Sequence, residues 1–268
     1  MMNTNDSLNL NSACWIVFNN QHDLLTENDM LLLLTQEHHL IQTAPFIRQI
    51  PFRIDQQIYY ACELGEDITP PLPTQFHPFI DLFRHTTSEQ REVLSKARQL
   101  LEWDQAHQYC GACGAVTEKG IDEYCKKCTN SHCNRLYYPR ISPAIIVAVE
   151  RENQILMTRS KNMPFFGLLA GYVESAETLE QTVRREVMEE CGIEIDNIRY
   201  FGSQSWPKPN ELMIGFQAIY KSGDLVTNLN ELDEASFFHV NHLPLNIFPG
   251  NASMMHALLQ DFITRKKR

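Results

Sequence analysis

Three glutamates, Glu186, Glu189 and Glu190, stand at i, i+3 and i+4 in the run LEQTVRREVMEEC at 179–191. On an α-helix that spacing puts the three carboxylates on one face. Like charges so placed destabilise a helix, and Arg185, which can reach Glu189 at i+4, cannot neutralise all three. A divalent hard cation can, and oxygen ligands suit Mg²⁺ or Mn²⁺. A solvated acidic surface helix would carry the same glutamates, so the flanking residues must decide. A second cluster lies upstream. Five of the eight cysteines, Cys110, Cys113, Cys125, Cys128 and Cys133, fall within residues 110–133. Cys110-Gly-Ala-Cys113 is a metal knuckle that needs a second pair to complete a tetrahedral Zn²⁺ site, and spacing alone leaves Cys125, Cys128 and Cys133 in contention. Four thiolates leave no place for water, so the expected zinc is structural.

The elements that position these groups have local signals. The glutamate helix is expected from about Thr178 to Cys191, stopped by Gly192, with Leu179, Val183 and Val187 facing a sheet. Gly171, just before it, lets the backbone turn close to the site. SPAIIVAVE (142–150) is a β-branched run typical of a central strand, and QILMTRS (154–160) is its hairpin partner. IRYFGSQSW and LMIGFQAIY are further strands. A last helix, roughly 252–265, ends in the basic RKKR, expected to complement the helix dipole in solvent. Upstream, Thr86 and Glu89 can form a capping box for a helix whose Val93, Leu94, Ala97, Leu100 and Leu101 recur at helical spacing. CWIVF (14–18) and QIYYACEL (57–64) look like buried strands, and ITPPLP (68–73) is a proline-rich connection.

The whole chain has 268 residues and 31.0 kDa, 43% hydrophobic and 21% charged, with 23 Lys+Arg against 33 Asp+Glu for a net −10. These values exclude a disordered chain, a collagen and a coiled coil. The acidic balance argues against duplex binding through phosphate neutralisation, while a pocket for one nucleotide stays open. No apolar run approaches the roughly 18 residues of a membrane span. The first Lys or Arg is Arg48, which fits neither a secretory signal nor a transit peptide, so a cytoplasmic protein is expected. In such a compartment clustered cysteines read as metal ligands rather than disulfides.

The full string around the glutamates is Gly171, five residues, Glu177, seven residues, Arg185-Glu186, two residues, Glu189-Glu190, one residue, Gly192 and Ile193. That string resembles the complete Nudix box, so the chain is similar to the Nudix hydrolases, which cleave a nucleoside diphosphate linked to another group. The resemblance implies an α/β fold, an α/β/α sandwich with a mixed sheet, here preceded by a small zinc ribbon and an α+β N-terminal domain. The expected boundaries are 1–105, 106–138 and 139–268. The cysteine cluster followed by YYPRISPAIIVAV resembles the NADH pyrophosphatases, whose ribbon reads Cys-x2-Cys-x14-Cys-x2–4-Cys. That pattern favours Cys110, Cys113, Cys128 and Cys133 and leaves Cys125 spare. The family's specificity motif, SQPWPFPxS, is matched by Ser203, Gln204, Trp206, Pro207 and Pro209, with departures at Ser205, Lys208 and Glu211. Lys208 removes an aromatic surface and adds a cation.

The resemblance implies cleavage of the NAD(H) pyrophosphate to AMP and NMN or reduced NMN, and in some relatives removal of NAD caps from RNA 5′ ends. It implies Glu186 and Glu190 as ligands of catalytic Mg²⁺ or Mn²⁺, Glu189 as ligand or base, and the Ala170 carbonyl and Glu231 as further ligands. Glu177 and Arg185 would hold helix and loop together. Substrate contacts are implied for Glu123, Tyr138 (across a homodimer), Tyr172, Gln204, Ser205, Trp206, Pro207, Lys208, Pro209, Asn210, Glu211 and Ser253. For the two tyrosines ordinary core packing is the rival, and for Glu123 a solvated surface position. Two other functions stand beside this one: a Nudix hydrolase of ADP-ribose or another dinucleotide, and a zinc-ribbon binding module with a nucleotide-sensing Nudix domain.

Overall fold

A computed structural model describes residues 13–267 apart from 29, 66–67, 71, 84, 121–123, 207–209 and 248–252. The expected contacts Glu123, Pro207, Lys208 and Pro209 lie outside the described residues. The chain divides into two compact units, 1–140 and 141–268.

In the first unit the elements run β1 (Cys14–Phe18), β2 (Leu24–Glu27), β3 (Met30–Leu31), α1 (His39–Thr43), β4 (Phe46–Ile54), β5 (Gln57–Leu64), β6 (Thr74–His77), α2 (Phe79–Phe83), α3 (Ser88–Ala106), β7 (Thr117–Lys119), β8 (Lys126–Cys128) and β9 (Leu136–Tyr137). Six strands form one sheet in the order β3-β2-β1-β5-β4 with β6 on β2, antiparallel except for β1 on β5. The apolar runs read from the sequence, Cys14–Phe18 and Gln57–Leu64, pair here residue for residue, and Trp15, Val17, Cys62 and Leu64 enter one core. Helix α3 buries Val93, Leu94, Ala97, Leu100 and Leu101. Its capping box is Thr87 with Gln90, not Thr86 with Glu89. The Thr86 hydroxyl donates instead to the Phe83 carbonyl at 2.8 Å, and glutamine serves at the N3 position as glutamate does. Strands β7, β8 and β9 make a separate three-stranded sheet. Asp104 near the end of α3 joins it to the larger sheet, accepting from Arg48 at 3.1 Å and from Lys126 of β8 at 2.9 Å.

The second unit runs β10 (Ser142–Arg151), β11 (Gln154–Ser160), β12 (Leu169–Tyr172), α4 (Leu179–Cys191), β13 (Glu194–Trp206), β14 (Glu211–Ser222), β15 (Leu232–His239) and α5 (Met254–Lys266). Its mixed sheet has the order β13-β14-β10-β11-β15, with β12 also on β10 and β14 parallel to β10. Strand β10 is central and apolar on both faces, as a doubly covered strand must be. Ile145, Val147 and Val149 pack with Val183, Val187 and Cys191 of α4. Ile146 and Ala148 pack with Leu258, Leu259 and Phe262 of α5. The period-two alternation of one strand therefore builds two cores, and the layers are α/β/α. The basic tail differs from its expected solvated role. Arg265 and Lys266 both pair with Glu150 at the end of β10, a carboxylate only 3% exposed that needs cationic partners. Among the described residues no helix is long and apolar enough to cross a membrane.

Candidate active site

Helix α4 starts at a capping box, Thr178 with Gln181, and ends where Gly192 adopts φ 68° and donates to the Met188 carbonyl. The loop that follows β14 satisfies two more of its last carbonyls. Val226 donates to Cys191 O at 3.0 Å and Asn228 to Glu190 O at 2.9 Å. That capping brings Glu231, far away in sequence, to the acidic face, where Asn228 Nδ2 holds its carboxylate at 3.3 Å.

The three helix glutamates do not share one environment. Glu186 and Glu190 are buried, whereas Glu189 is exposed. Glu186 lies on the bare Cα of Gly171 in β12: a Cβ there would stand 2.0 Å from the Glu186 carboxylate carbon. Arg185 organises the surroundings. Its Nε donates to Glu177 at 2.6 Å, Nη1 to Glu186 at 2.9 Å and Glu189 at 3.0 Å, and Nη2 to the Tyr172 carbonyl at 2.9 Å. That one guanidinium ties loop, helix and strand together and holds the Glu177 carboxyl down to about 2, helped by the Glu174 amide and the Thr182 hydroxyl. Burial pushes Glu186 up. Burial and then the charges of Glu186, Glu231 and Glu189 push Glu190 up to about 7. The donor set is hard oxygen, with Glu186 and Glu190 buried and Arg185 as the one cation paired with it among the described residues, which fits Mg²⁺ or Mn²⁺. The Ala170 carbonyl belongs to the same strand as Gly171, one residue before it.

The other face of the sheet carries a second feature. The registers place Tyr172, Ala144, Met213 and Gln204 in one row across β12, β10, β14 and β13. Side chains in such a row share a face, and this one is the face covered by α5. Gly215 makes room there, since a Cβ on it would meet Met254 Sδ at 2.7 Å. Gln204 Oε1 accepts from the Met254 amide at 2.7 Å, and Ser253 caps the helix by accepting from His256. A mainly apolar pocket of about 190 Å³ results, lined by Ile146, Gln204, Trp206, Met213, Ser253, Met254 and Met255. Three of the expected contacts, Gln204, Trp206 and Ser253, meet at this pocket. Ser205 alternates onto the opposite face. Tyr172 is half-exposed and its hydroxyl donates to Glu211; burial of the phenol and then Glu211 push it up to about 12. Asn210 has φ 63° and a buried Oδ1 with no partner among the described residues. Tyr138 is half-exposed and belongs to the first unit. Ile146, Met213, Met254, Met255, Thr182 and Asn228 were not anticipated. Nothing local marks them; they take part through sheet register and loop capping.

Among the described residues one group of metal-type ligands has all its atoms within 4.8 Å of one another: Cys110, Cys113, Cys128 and Cys133. Two sulfurs at about 2.3 Å on a tetrahedral zinc stand about 3.8 Å apart. Cys110 and Cys133 are 3.7 Å apart, Cys113 and Cys128 3.5 Å. The Tyr137 hydroxyl, 3.0 Å from Cys110, pulls that thiol down to about 6. Cys125 is turned elsewhere, buried with its sulfur 3.7 Å from the Lys126 carbonyl. The tetrad fits a zinc ribbon.

A mixed-sheet α/β/α unit with a buried glutamate helix, preceded by a four-cysteine ribbon, defines the class. Residues 140–258 match the family profile of the NUDIX domain, so that segment of the chain is a NUDIX domain. It is 39% identical over 177 residues to the NAD-capped RNA hydrolase NudC of Pseudomonas syringae pv. tomato, covering 65% of this chain and 62% of that protein. It is 45% identical over 168 residues to the protein of the same name from Shigella dysenteriae, covering 62% of this chain and 63% of the relative. The match thus spans a little under two thirds of each relative's length. A crystal structure of a NUDIX hydrolase from Nitrosomonas europaea shares the fold, with a TM-score of 0.51 and 23% identity over 60% of this chain and 92% of that one.

Proposed function

We propose that the chain hydrolyses the pyrophosphate bond of NAD(H), giving AMP and NMN or reduced NMN, and removes NAD caps from RNA 5′ ends by the same cleavage. Glu190 carries the metal-dependent part of this reading: it is 7% exposed and faces the charges of Glu186, Glu231 and Glu189. The names of the relatives support the substrate.

Glu186, Glu189, Glu190, Glu231 and the Ala170 carbonyl would hold Mg²⁺ or Mn²⁺. Bound there, the cation supplies Lewis acidity that polarises the phosphoryl oxygens and acidifies water. Arg185 and Gly171 fix Glu186, and Glu177 fixes Arg185. Where the exposed Glu189 serves as the base instead of a ligand, it takes one proton from the attacking water. The water oxygen bonds to one phosphorus, the bridging P–O bond breaks, and its electron pair stays on the departing phosphate. The second proton passes to product or solvent. Tyr172, Gln204, Ser205, Trp206, Asn210, Glu211 and Ser253, with Pro207, Lys208 and Pro209, would bind the substrate, and Glu123 and Tyr138 would join them, Tyr138 from the second subunit of a homodimer. The cysteine tetrad would hold a structural Zn²⁺. Residues 1–105, 106–138 and 139–268 would act as N-terminal, ribbon and catalytic modules of a cytoplasmic protein.

Specificity constants for NADH, NAD⁺, ADP-ribose and a 5′-NAD RNA test the reading. Selective cleavage of ADP-ribose would replace it with the other hydrolase function, and cleavage of none would favour a nucleotide-sensing module.

A further inference from the structure

Five carboxylates of the described residues are buried: Glu63, Glu150, Glu186, Glu190 and Glu211. Three have a cationic partner. Glu63 pairs with Arg48 at 2.8 Å, Glu150 with Arg265 and Lys266, and Glu186 with Arg185 at 2.9 Å. Glu190 and Glu211 have none among the described residues. A buried carboxylate without a cation is costly, and its cost falls when a ligand brings the charge. For Glu190 the metal site accounts for that. Glu211 lies on the other face of the sheet, where its one side-chain partner among the described residues is the Tyr172 hydroxyl and no other carboxylate of those residues joins it in a metal-type cluster.

The position of Glu211 says what kind of cation fits. It opens β14, paired with Ser142 on one side and Trp206 on the other, two residues before Met213. Trp206 and Met213 both line the apolar pocket at the start of α5. Tyr172 reaches it from β12 across the first residues of β10, so the phenol ring is fixed at its far end while 48% of the residue stays exposed. Tyr172 directly follows Gly171, the seat of Glu186, and is the last residue of β12, so a substrate holding its diphosphate at the helix would pass the end of that strand to bring its ring to this row. An apolar pocket, an open aromatic face and a carboxylate without a cationic partner among the described residues suit a flat aromatic cation, through stacking, cation–π attraction and charge.

Resting on the NAD(H) reading above, we propose that Glu211, oriented by Tyr172, selects the oxidised substrate by pairing with the positively charged nicotinamide ring. The reduced ring is neutral and gains nothing from that carboxylate. Glu211 is thus a specificity residue and Tyr172 its positioning residue.

The test compares the full chain with Glu211→Gln, Glu211→Ser and Tyr172→Phe. The ratio of kcat/KM for NAD⁺ to that for NADH is expected to fall about tenfold in both Glu211 variants, with about threefold for Tyr172→Phe, the range of half-buried charge and hydrogen-bond contacts. The change should sit in KM rather than kcat. An unchanged ratio, or equal losses on both substrates, overturns the proposal while leaving the hydrolase reading intact. Calorimetry with NMN and reduced NMN provides a readout free of turnover. Tighter binding of NMN, lost in Glu211→Gln, supports the selection even in a chain that cleaves neither dinucleotide; equal affinities in the wild type refute it.

Discussion

Replacing Gly171 by alanine tests whether the seat of Glu186 is a functional device. The added Cβ would stand 2.0 Å from both Cδ and Oε1 of Glu186 and 2.5 Å from Oε2. Ordinary contact begins near 3.4 Å, so the carboxylate must retreat by more than 1 Å. Two consequences separate. Overpacking of a filled site costs about 1–3 kcal/mol of stability. A displacement of about 1 Å in a positioned catalytic group costs about 100-fold in rate. Gly167→Ala is the control, because a Cβ there meets nothing within 4 Å. Urea denaturation and steady-state kinetics on both variants give the two numbers. The expected result is a folded Gly171→Ala protein with kcat down about 100-fold and a Gly167→Ala protein near wild type. A Gly171→Ala enzyme with wild-type kcat would refute the idea that Glu186 must rest on the β12 backbone.

Three further outcomes are expected. Elemental analysis of purified protein should find one zinc per chain in Cys125→Ser and loss of zinc in Cys128→Ser, because only Cys128 belongs to the gathered tetrad; zinc retained in Cys128→Ser would contradict that ligand set. In buffer free of Mg²⁺ and Mn²⁺, the raised Glu190, moved from 4.5 to about 7, binds a proton in the folded state that the unfolded chain has released. Its stabilising effect is full below pH 4.5 and lost as pH rises through about 7. That loss amounts to at most about 3 kcal/mol, it should vanish in Glu190→Gln, and added Mn²⁺ should restore stability more at pH 8 than at pH 5. Identical melting profiles of the two proteins from pH 5 to 8 would count against it. Finally, Arg265→Ala with Lys266→Ala leaves the buried Glu150 without its cations and should lower unfolding stability by about 1–3 kcal/mol by urea titration; a change within error would mean the tail is only solvated.

The sequence was most legible where signals are local. The strands read at 14–18, 57–64 and 154–160 form with those same limits, because burial on a sheet is written in consecutive residues. Helix α4 stops at Gly192, where φ 68° suits a residue without a side chain. The ribbon's spacing left one cysteine too many, and only the fold turns Cys125 away from the other four. Contacts across the chain were not legible. Arg265 and Lys266 looked like a solvated tail because Glu150, their partner, lies over a hundred residues earlier in β10. The Tyr172–Glu211 bond depends on two strands flanking the same third strand, which no periodicity records. Glu231 reaches α4 only because loop amides cap that helix.

The most direct test of the central claim is product analysis by mass. Purified protein and its Glu190→Gln variant are incubated with NADH and Mg²⁺ or Mn²⁺. Hydrolysis at the pyrophosphate by the glutamate helix predicts AMP and reduced NMN from the wild type and intact NADH from the variant. Intact NADH with both proteins, or equal cleavage by both, would contradict it.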